Sequence, residues 1–287
     1  MKPQRISRRQ LERISDQLTQ RDQAVLVAID EHRFLTTRQI ARFCFDDKPN
    51  EIAALRSTNR ALAKLTSLAL IASLERRIGG VRAGSGSFVW HLTEPGTKFL
   101  TLSAQGQEST KRQRSIEPSR TFLEHTLAIA EVHLQLIDHG RDNNLELRHV
   151  QLEPECWRSY LNPAGGVLRL KPDLAAVTVS ATFEDYWLFE IDLATEPPSR
   201  IVRKCLQYQE YRNTGSEQKT LALFPAVVWI VPTTARKDQL LSRLSDESGI
   251  NTRLFTVITI DQLADLVTAG PEQYRKQMGG QNGGEPS

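Results

Sequence analysis

The stretch from Lys171 to Tyr211 decides how the carboxyl-terminal half of the chain folds. It reads KPDLAAVTVSATFEDYWLFEIDLATEPPSRIVRKCLQYQEY. An alternating apolar run follows Asp173 to residue 180, and a second run covers residues 186–192, so two neighbouring strands are predicted. A helical pattern then begins after Pro197-Pro198, since the first turn of a helix tolerates proline. The stretch therefore predicts a strand, a turn, a strand and a helix.

Three carboxylates lie on the two predicted strands. Asp173 stands where the first strand begins, and Glu190 and Asp192 are two residues apart on the second, so they share one face. Carboxylates gathered in this way repel one another, and burial increases the repulsion. A bound cation would relieve it, and oxygen ligands suit Mg²⁺ or Mn²⁺. The pattern predicts a metal site formed by these three residues.

The same stretch resembles the PD-(D/E)xK nucleases. Pro172-Asp173 matches the first motif of that fold, and Glu190-Ile191-Asp192 matches the second, with Asp192 where the family keeps its lysine. Gln207 and Tyr211 match the QxxxY signature of one branch, in the helix after the second motif. The resemblance implies a catalytic set, whose members are Asp173, Glu190, Asp192, Lys204, Gln207 and Tyr211.

Two roles in that set are left open by the residues themselves. The missing lysine is replaced by Lys204, which reaches back from the next helix, or by Lys171. In PD-(D/E)xK nucleases the first helix often supplies a carboxylate to the metal, which implies Glu131 or Glu124 as a further ligand. The alternative for each glutamate is a solvated residue on the surface of an amphipathic helix over residues 121–138.

Composition places the chain among globular proteins and gives its two halves opposite charge. Charged residues make up 25% and hydrophobic residues 39% of 287 residues, which is ordinary for a soluble protein of two domains. Residues 1–120 carry 21 Lys and Arg against 12 Asp and Glu, a net of +9, and the remainder carries 16 against 22, a net of −6, which together give the overall +3. The basic front half indicates a polyanionic partner, unless its arginines are simply solvated.

Cysteine usage and hydropathy exclude several classes of protein. Cys44, Cys156 and Cys205 are odd in number and far apart, which fits a reducing cytoplasm and argues against a disulfide framework or a zinc site. The basic amino terminus lacks the apolar stretch of a signal peptide. No run of about 18 apolar residues occurs, so no membrane span is expected.

The front half has the helix order of a helix-turn-helix domain. Residues 22–31 suit a buried helix, a short helix capped by Thr36 or Thr37 follows, and a longer helix is expected over residues 51–67. The buried stripe of this longer helix is predicted to contain Ile52, Leu55, Leu62 and Leu65. Strands over residues 70–78 and 88–92 would add a wing, and the pattern Leu92-Thr93-Glu94-Pro95-Gly96 resembles that of winged-helix regulators.

Basic side chains on the longer helix and the wing predict contact with double-stranded DNA. A helix fits the major groove, where arginines can reach phosphates or guanine edges, and wing arginines can contact the backbone or the minor groove. The alternative is a winged helix used for protein contacts or dimerisation. The candidate DNA-binding residues are Arg56, Ser57, Asn59, Arg60, Lys64, Arg76, Arg77 and Arg82.

The sequence divides into five segments. A basic arm covers residues 1–17, a winged-helix domain 18–103 and a polar linker 104–119, in which Lys111, Arg112 and Arg114 extend the DNA contact or keep the linker soluble. Residues 120–268 alternate strands with helices, which predicts an α/β domain with a mixed sheet, and residues 156–167 read as a loop. Residues 269–287 are rich in Gly and Gln and are expected to be disordered.

Together, the winged helix and the PD-(D/E)xK-like core resemble the replication-relaxation family over residues 20–265. Its second motif tends to run Glu-x-Asp, as here. The resemblance implies a protein of a bacterial plasmid or integrative element that acts in replication or in DNA relaxation at transfer. Three functions stay open: a sequence-specific DNA-binding protein with a weak or inactive nuclease domain, an active Mg²⁺-dependent endonuclease, and a non-enzymatic scaffold. Other replication or relaxation proteins and a second copy of the chain are further expected partners.

Overall fold

A computed structural model of the 287-residue chain describes residues 8–74, 88–103, 118–142, 145–162 and 164–281. The chain divides into two compact units, Met1–Leu134 and Gln135–Ser287. No helix in these described ranges is long and apolar enough to cross a membrane.

The first unit begins with four described helices, and the starts of the second, third and fourth are capped by side chains. Thr19 and Thr36 each form a capping box with the residue three positions on, and Asn50 accepts a hydrogen bond from the Ala53 N–H. The predicted helix order and the Thr36 cap are confirmed. These helices are α1 (Arg8–Ser15), α2 (Gln20–His32), α3 (Thr37–Cys44) and α4 (Glu51–Ser67).

A small antiparallel sheet and a further helix complete the order predicted for a winged helix. The sheet order is β1-β3-β2, with β1 (Leu35–Thr36), β2 (Ile71–Ser73) and β3 (Val89–Leu92), and α5 (Glu94–Ser103) follows. Residues 75–87 lie outside the described residues. β3 begins one residue later than predicted, and residues 75–78 of the first predicted strand are not described.

The fold explains the Leu-Thr-x-x-Gly pattern of residues 92–96. The Thr93 hydroxyl donates to the Ala69 carbonyl at 2.6 Å and accepts from the Gly96 N–H at 3.2 Å, so it ties the start of α5 to the end of α4. A Cβ on Gly96 would lie 2.1 Å from the Leu70 carbonyl oxygen, so only glycine allows this approach.

The core of the first unit lies between α2, α3, α4 and the small sheet. Leu62 and Leu65 of α4 are buried there, as predicted, and Leu55 is half-buried. Ile52 is 64% exposed, so its predicted place in the buried stripe is wrong. It lies in the first turn of α4, on a side of the helix that faces solvent.

Helix α6 (Arg120–Asp142) runs from the first unit into the second. Leu123 and Leu127 pack with Val89 of β3, and the Gln39 side-chain amide donates to the Leu127 carbonyl at 2.9 Å. The division between the units therefore falls within α6, after Leu134, whereas the sequence assigns the whole helix to the rear domain. The predicted linker, residues 104–119, lies almost entirely outside the described residues.

The second unit is built on a mixed five-stranded sheet, as predicted. The sheet order is β10-β9-β8-β7-β4, in which β4, β7 and β8 are antiparallel and β9 and β10 run parallel to β8. The strands are β4 (Glu146–Leu152), β7 (Leu174–Val179), β8 (Glu184–Ile191), β9 (Ala226–Val231) and β10 (Phe255–Thr259). The helices are α7 (Pro198–Asn213), α8 (Ser216–Leu221), α9 (Thr234–Asp246), α10 (Leu263–Ala269) and α11 (Pro271–Gln281).

Two sequence expectations for this unit are corrected. The region predicted as a loop over residues 156–167 contains an antiparallel hairpin of β5 (Arg158–Leu161) and β6 (Val167–Leu170). Most of the tail predicted to be disordered forms α11, because Tyr274 is buried and anchors it. Its Gly- and Gln-rich composition concealed the apolar anchor at Tyr274, and residues 282–287 lie outside the described part.

Candidate functional site

Asp173 and Glu190 are brought together by the register of β7 and β8. The Asp173 N–H donates to the Phe189 carbonyl at 3.1 Å, and its carboxylate accepts from the Ile191 N–H at 2.7 Å. Asp173 therefore lies across from the carboxyl end of β8, on which Glu190 stands. Both side chains are buried. The pairing of neighbouring strands thus places the two predicted acidic residues at one end of the sheet.

Helix α7 covers this acidic pair and supplies two donors to it. The Lys204 ammonium forms an ion pair with Oε2 of Glu190, and the Tyr208 hydroxyl donates to Oε1 at 2.5 Å. Lys204 and Tyr208 are four residues apart, so they project from one face of the helix. Both oxygens of Glu190 are hydrogen-bonded as a result.

The electrostatics of this cluster follow from its burial. Burial raises the pKa of Glu190 above that of an exposed glutamate, Lys204 opposes this shift, and the nearby charge of Asp173 adds to it. Burial alone would lower the pKa of Lys204, but the carboxylates of Glu190 and Asp173 outweigh it and raise that pKa. The positive charge of Lys204 therefore interacts with two buried carboxyl groups, those of Glu190 and Asp173.

Asp192 has a different partner and does not join this cluster. Its carboxylate accepts from Nε of Arg236 at 2.7 Å and from the Ala194 N–H at 2.9 Å. Arg236 lies on α9, is itself buried, and also donates to the Glu196 carbonyl at 2.7 Å. These contacts do not fit the predicted role of Asp192 as a metal ligand or catalytic group, because its charge is already neutralised by an arginine.

Gln207 and Tyr211 also turn away from the acidic pair. The Gln207 amide donates to the Arg169 carbonyl at 3.2 Å, on the β5–β6 hairpin. The Tyr211 hydroxyl donates to Glu217 at 2.9 Å, and Glu217 is paired with Arg158 at 2.7 Å. Gln207 precedes Tyr208 by one residue, about 100° around the helix, so it cannot share the face that covers Glu190. In this chain the two residues support the hairpin and α8.

The glutamates of α6 have partners of their own. Glu131 pairs with Arg42 of α3 at 2.6 Å, and Glu124 pairs with Arg120 at 2.8 Å. Their described contacts are thus ion pairs within the first unit.

The described residues do not fit a metal ion as they are arranged. Nowhere in the described ranges do three His, Cys, Asp or Glu side chains gather in a way that could hold one. Both oxygens of Glu190 are engaged, and Asp192 is tied to Arg236. The predicted ligand set of Asp173, Glu190, Asp192 and Glu131 is therefore not assembled.

The candidate DNA-binding residues of α4 fall into two groups. Arg56, Asn59 and Arg60 are exposed, and Arg60 lies 3.4 Å from the hydroxyl of the half-buried Ser57. Lys64 instead donates to Asp22 at 2.7 Å and to the Gln17 carbonyl at 2.7 Å, so it holds α4 against the start of α2. The wing and linker residues Arg76, Arg77, Arg82, Lys111, Arg112 and Arg114 lie outside the described residues.

Two residues that shape the site, Tyr208 and Arg236, are not among those predicted from the sequence. Tyr208 follows Lys204 by four residues, and that spacing was a signal that could have identified it. Arg236 lies 44 residues from Asp192, and no local pattern links the two.

The order of elements defines a restriction-endonuclease-type α/β unit: a helix, three antiparallel strands, a covering helix and a parallel strand. An acidic pair lies at one end of its sheet. The chain belongs to the replication-relaxation family, whose family model matches residues 26–227. Among curated proteins, none matches this sequence.

Two solved structures of one nuclease show a faint likeness to the chain. The restriction endonuclease FokI is 11% identical, with a TM-score of 0.26 over 93% of this chain and 73% of that one. FokI bound to DNA is 13% identical, with a TM-score of 0.24 over 96% and 48%. Likenesses this weak add nothing to the topology described above.

Proposed function

We propose that this protein binds double-stranded DNA at a specific sequence through α4 and acts in the replication or relaxation of a bacterial plasmid or other mobile element. Its second unit is a nuclease relative of weak or absent activity. The observation that carries the proposal is the outer face of α4, on which Arg56, Asn59 and Arg60 are exposed.

The different environments of the basic residues along α4 support DNA as the partner. Lys64 at its carboxyl-terminal end is used to hold the helix in place, while Arg56 and Arg60 take no part in the core. Arginine offers two parallel donors to guanine, and asparagine offers a donor and an acceptor to adenine. Both kinds of base reader are therefore presented on one surface.

The test is binding of the full chain to duplex DNA of the element's own origin at several salt concentrations. Each phosphate contact that is lost reduces the slope of log affinity against log salt by about 0.9. We expect Arg56→Ala with Arg60→Ala to weaken binding at least tenfold and to flatten this slope. Lys219→Ala with Arg253→Ala removes two exposed cations of the second unit and is the matched control for loss of charge. Equal binding by the α4 variant and wild type would overturn the proposal.

The contacts of Glu190 support weak or absent cleavage. Its carboxylate is occupied by Lys204 and Tyr208, and the third acidic residue of the motif is neutralised by Arg236. A unit in this arrangement would contribute DNA or partner binding rather than catalysis.

A Mg²⁺-dependent endonuclease is the second candidate, favoured by one observation. Lys204 lies beside Glu190 and its pKa is also influenced by Asp173, which supports α7 as the source of the lysine missing from the second motif. The test incubates a supercoiled plasmid carrying the native origin with Mg²⁺, Mn²⁺ or EDTA. Metal-dependent nicking that is lost in Asp173→Ala, and kept in the exposed control Asp246→Ala, would establish cleavage. A mobility shift without strand breaks in every condition would support the first proposal.

A scaffold that binds proteins is the remaining alternative, with other replication proteins or a second copy of the chain as partners. It would give weak affinity for duplex DNA and no dependence on Arg56 and Arg60.

A further inference from the structure

The β5–β6 hairpin forms a two-stranded sheet of its own, separate from the five-stranded sheet. Its inner face, with Tyr160 and Leu170, belongs to the core that packs against α7. The strand register places Ser159 opposite Arg169 and Leu161 opposite Val167, and all four side chains are exposed. These four residues form the outer hairpin face.

The tip of the outer hairpin face is apolar. Leu161 is 63% and Val167 is 71% exposed, and they form a cross-strand pair next to the turn. Two apolar side chains displayed together at the end of a hairpin present a surface for contact with a partner.

The base of the hairpin is cationic. The ring centroid of Trp157 lies 4.4 Å from the Lys171 ammonium and 5.5 Å from the Arg169 guanidinium carbon. These contacts orient two exposed cations on one aromatic ring. Within the ranges that the structure describes, neither cation is paired with a carboxylate, whereas Arg158 on the inner face is paired with Glu217.

Charge singles out this segment within an acidic half of the chain. Residues 121–287 carry a net charge of −6, yet the segment from Cys156 to Pro172 contains three cations and no acidic residue. A basic segment in an otherwise acidic unit is complementary to a polyanion.

The hairpin is also fixed next to the acidic pair. Lys171 precedes Pro172-Asp173 directly, and the buried Cys156 thiol donates to the Pro172 carbonyl at 2.9 Å. Gln207, from the helix that carries Lys204, donates to the Arg169 carbonyl. A ligand on the hairpin would thus lie close to Asp173 and Glu190.

We infer that the outer hairpin face, with Lys171, is a second DNA contact, one that the family match does not assign, and this inference rests on the proposed function. Arg169 and Lys171 bind backbone phosphates, and the Leu161–Val167 tip makes apolar contact with sugars or thymine methyl groups in the groove. A two-stranded ribbon of this kind fits the major groove of duplex DNA. The hairpin thereby delivers the duplex to the Asp173–Glu190 end of the sheet.

The test compares three full-length variants in salt-dependent binding to the same origin duplex. Arg169→Ala with Lys171→Ala removes two phosphate contacts and should reduce the salt slope by about 2. Leu161→Ser with Val167→Ser should weaken binding several-fold at an unchanged slope, because apolar contacts release no counterions. Lys219→Ala with Arg253→Ala, two exposed cations outside the hairpin, is the matched control and should retain the wild-type slope.

The outcomes distinguish failure of the hairpin contact from failure of the proposed function. Loss of binding in the α4 variant, with wild-type affinity and slope in both hairpin variants, would overturn the hairpin contact and leave the proposed function standing. Absence of duplex binding by wild type would overturn both. A change of oligomeric state in Leu161→Ser with Val167→Ser, measured by light scattering with DNA binding intact, would identify the tip as an interface between copies and overturn the inference.

Discussion

Lys204 on α7 forms an ion pair with Glu190 on β8, 14 residues earlier in the chain, at the end of the sheet where Asp173 is also buried. The lysine that contacts this acidic pair therefore comes from the helix that covers the sheet. In the usual motif the lysine follows the glutamate on the strand itself, and Asp192 holds that place here. This relationship leads to the first prediction.

Lys204→Met should destabilise the second unit by about 3 kcal/mol, because it leaves a buried carboxyl group without its cation. Glu190→Gln with Lys204→Met should recover most of that loss, since the double variant removes both charges and keeps the Tyr208 hydrogen bond. Urea unfolding of the single and double variants measures the coupling. Additive effects would show that the two side chains do not interact.

Asp192 is expected to act through Arg236 and not through a metal. Arg236→Met leaves a buried carboxylate unpaired and should cost about 3 kcal/mol of the free energy of unfolding. Asp192→Asn should leave the heat of Mn²⁺ binding, measured by titration calorimetry, the same as in wild type. If Mn²⁺ binds wild type and binding falls strongly in Asp192→Asn, the assignment of Asp192 to a structural ion pair is wrong.

Gly96→Ala tests the close approach between α5 and the end of α4. The added Cβ would meet the Leu70 carbonyl oxygen at 2.1 Å, and neither backbone segment can move without disturbing the core. We expect a loss of about 3 kcal/mol in unfolding free energy. Lys98→Ala, on the exposed side of the same helix, is the control and should change stability by less than about 0.5 kcal/mol.

The burial of His133 predicts that the first unit loses stability as the pH falls. It packs against Phe43 and His32, and burial lowers its pKa from 6.5 to about 4. As the pH falls, His133 is protonated in the unfolded chain before it is protonated in the folded chain. The stabilisation is therefore present above pH 6.5 and is lost as the pH falls through 4. The difference corresponds to about 3 kcal/mol.

The comparison that isolates this histidine is His133→Gln against the exposed His149→Gln, both followed by urea unfolding at pH 7, 5.5 and 4. The first variant should lose less stability than wild type over this range, and the second should follow wild type. Parallel curves for His133→Gln and wild type would contradict the assignment.

Much of the architecture was predictable because it depends on neighbours in the sequence. The bounds of α4 follow from an apolar pattern of helical period over residues 51–67. The strands β7 and β8 follow from the alternation of apolar residues. The β5–β6 hairpin was missed because Pro163 and two glycines resemble an open loop, and α11 was missed because its anchor, Tyr274, stands among mostly polar residues.

The sequence alone determined most of the elements, their order and the meeting of Asp173 with Glu190 across the β7–β8 register, since each depends on local periodicity or on adjacent strands. Only the tertiary structure decided the partner of each charged group. Lys204 pairs with Glu190, Arg236 with Asp192, and Lys64 with Asp22. These pairings depend on how α4, α7 and α9 are rotated about their own axes, since that orientation decides which side chains face the elements they cover. That rotation is set by the packing of whole faces, so no single motif records it.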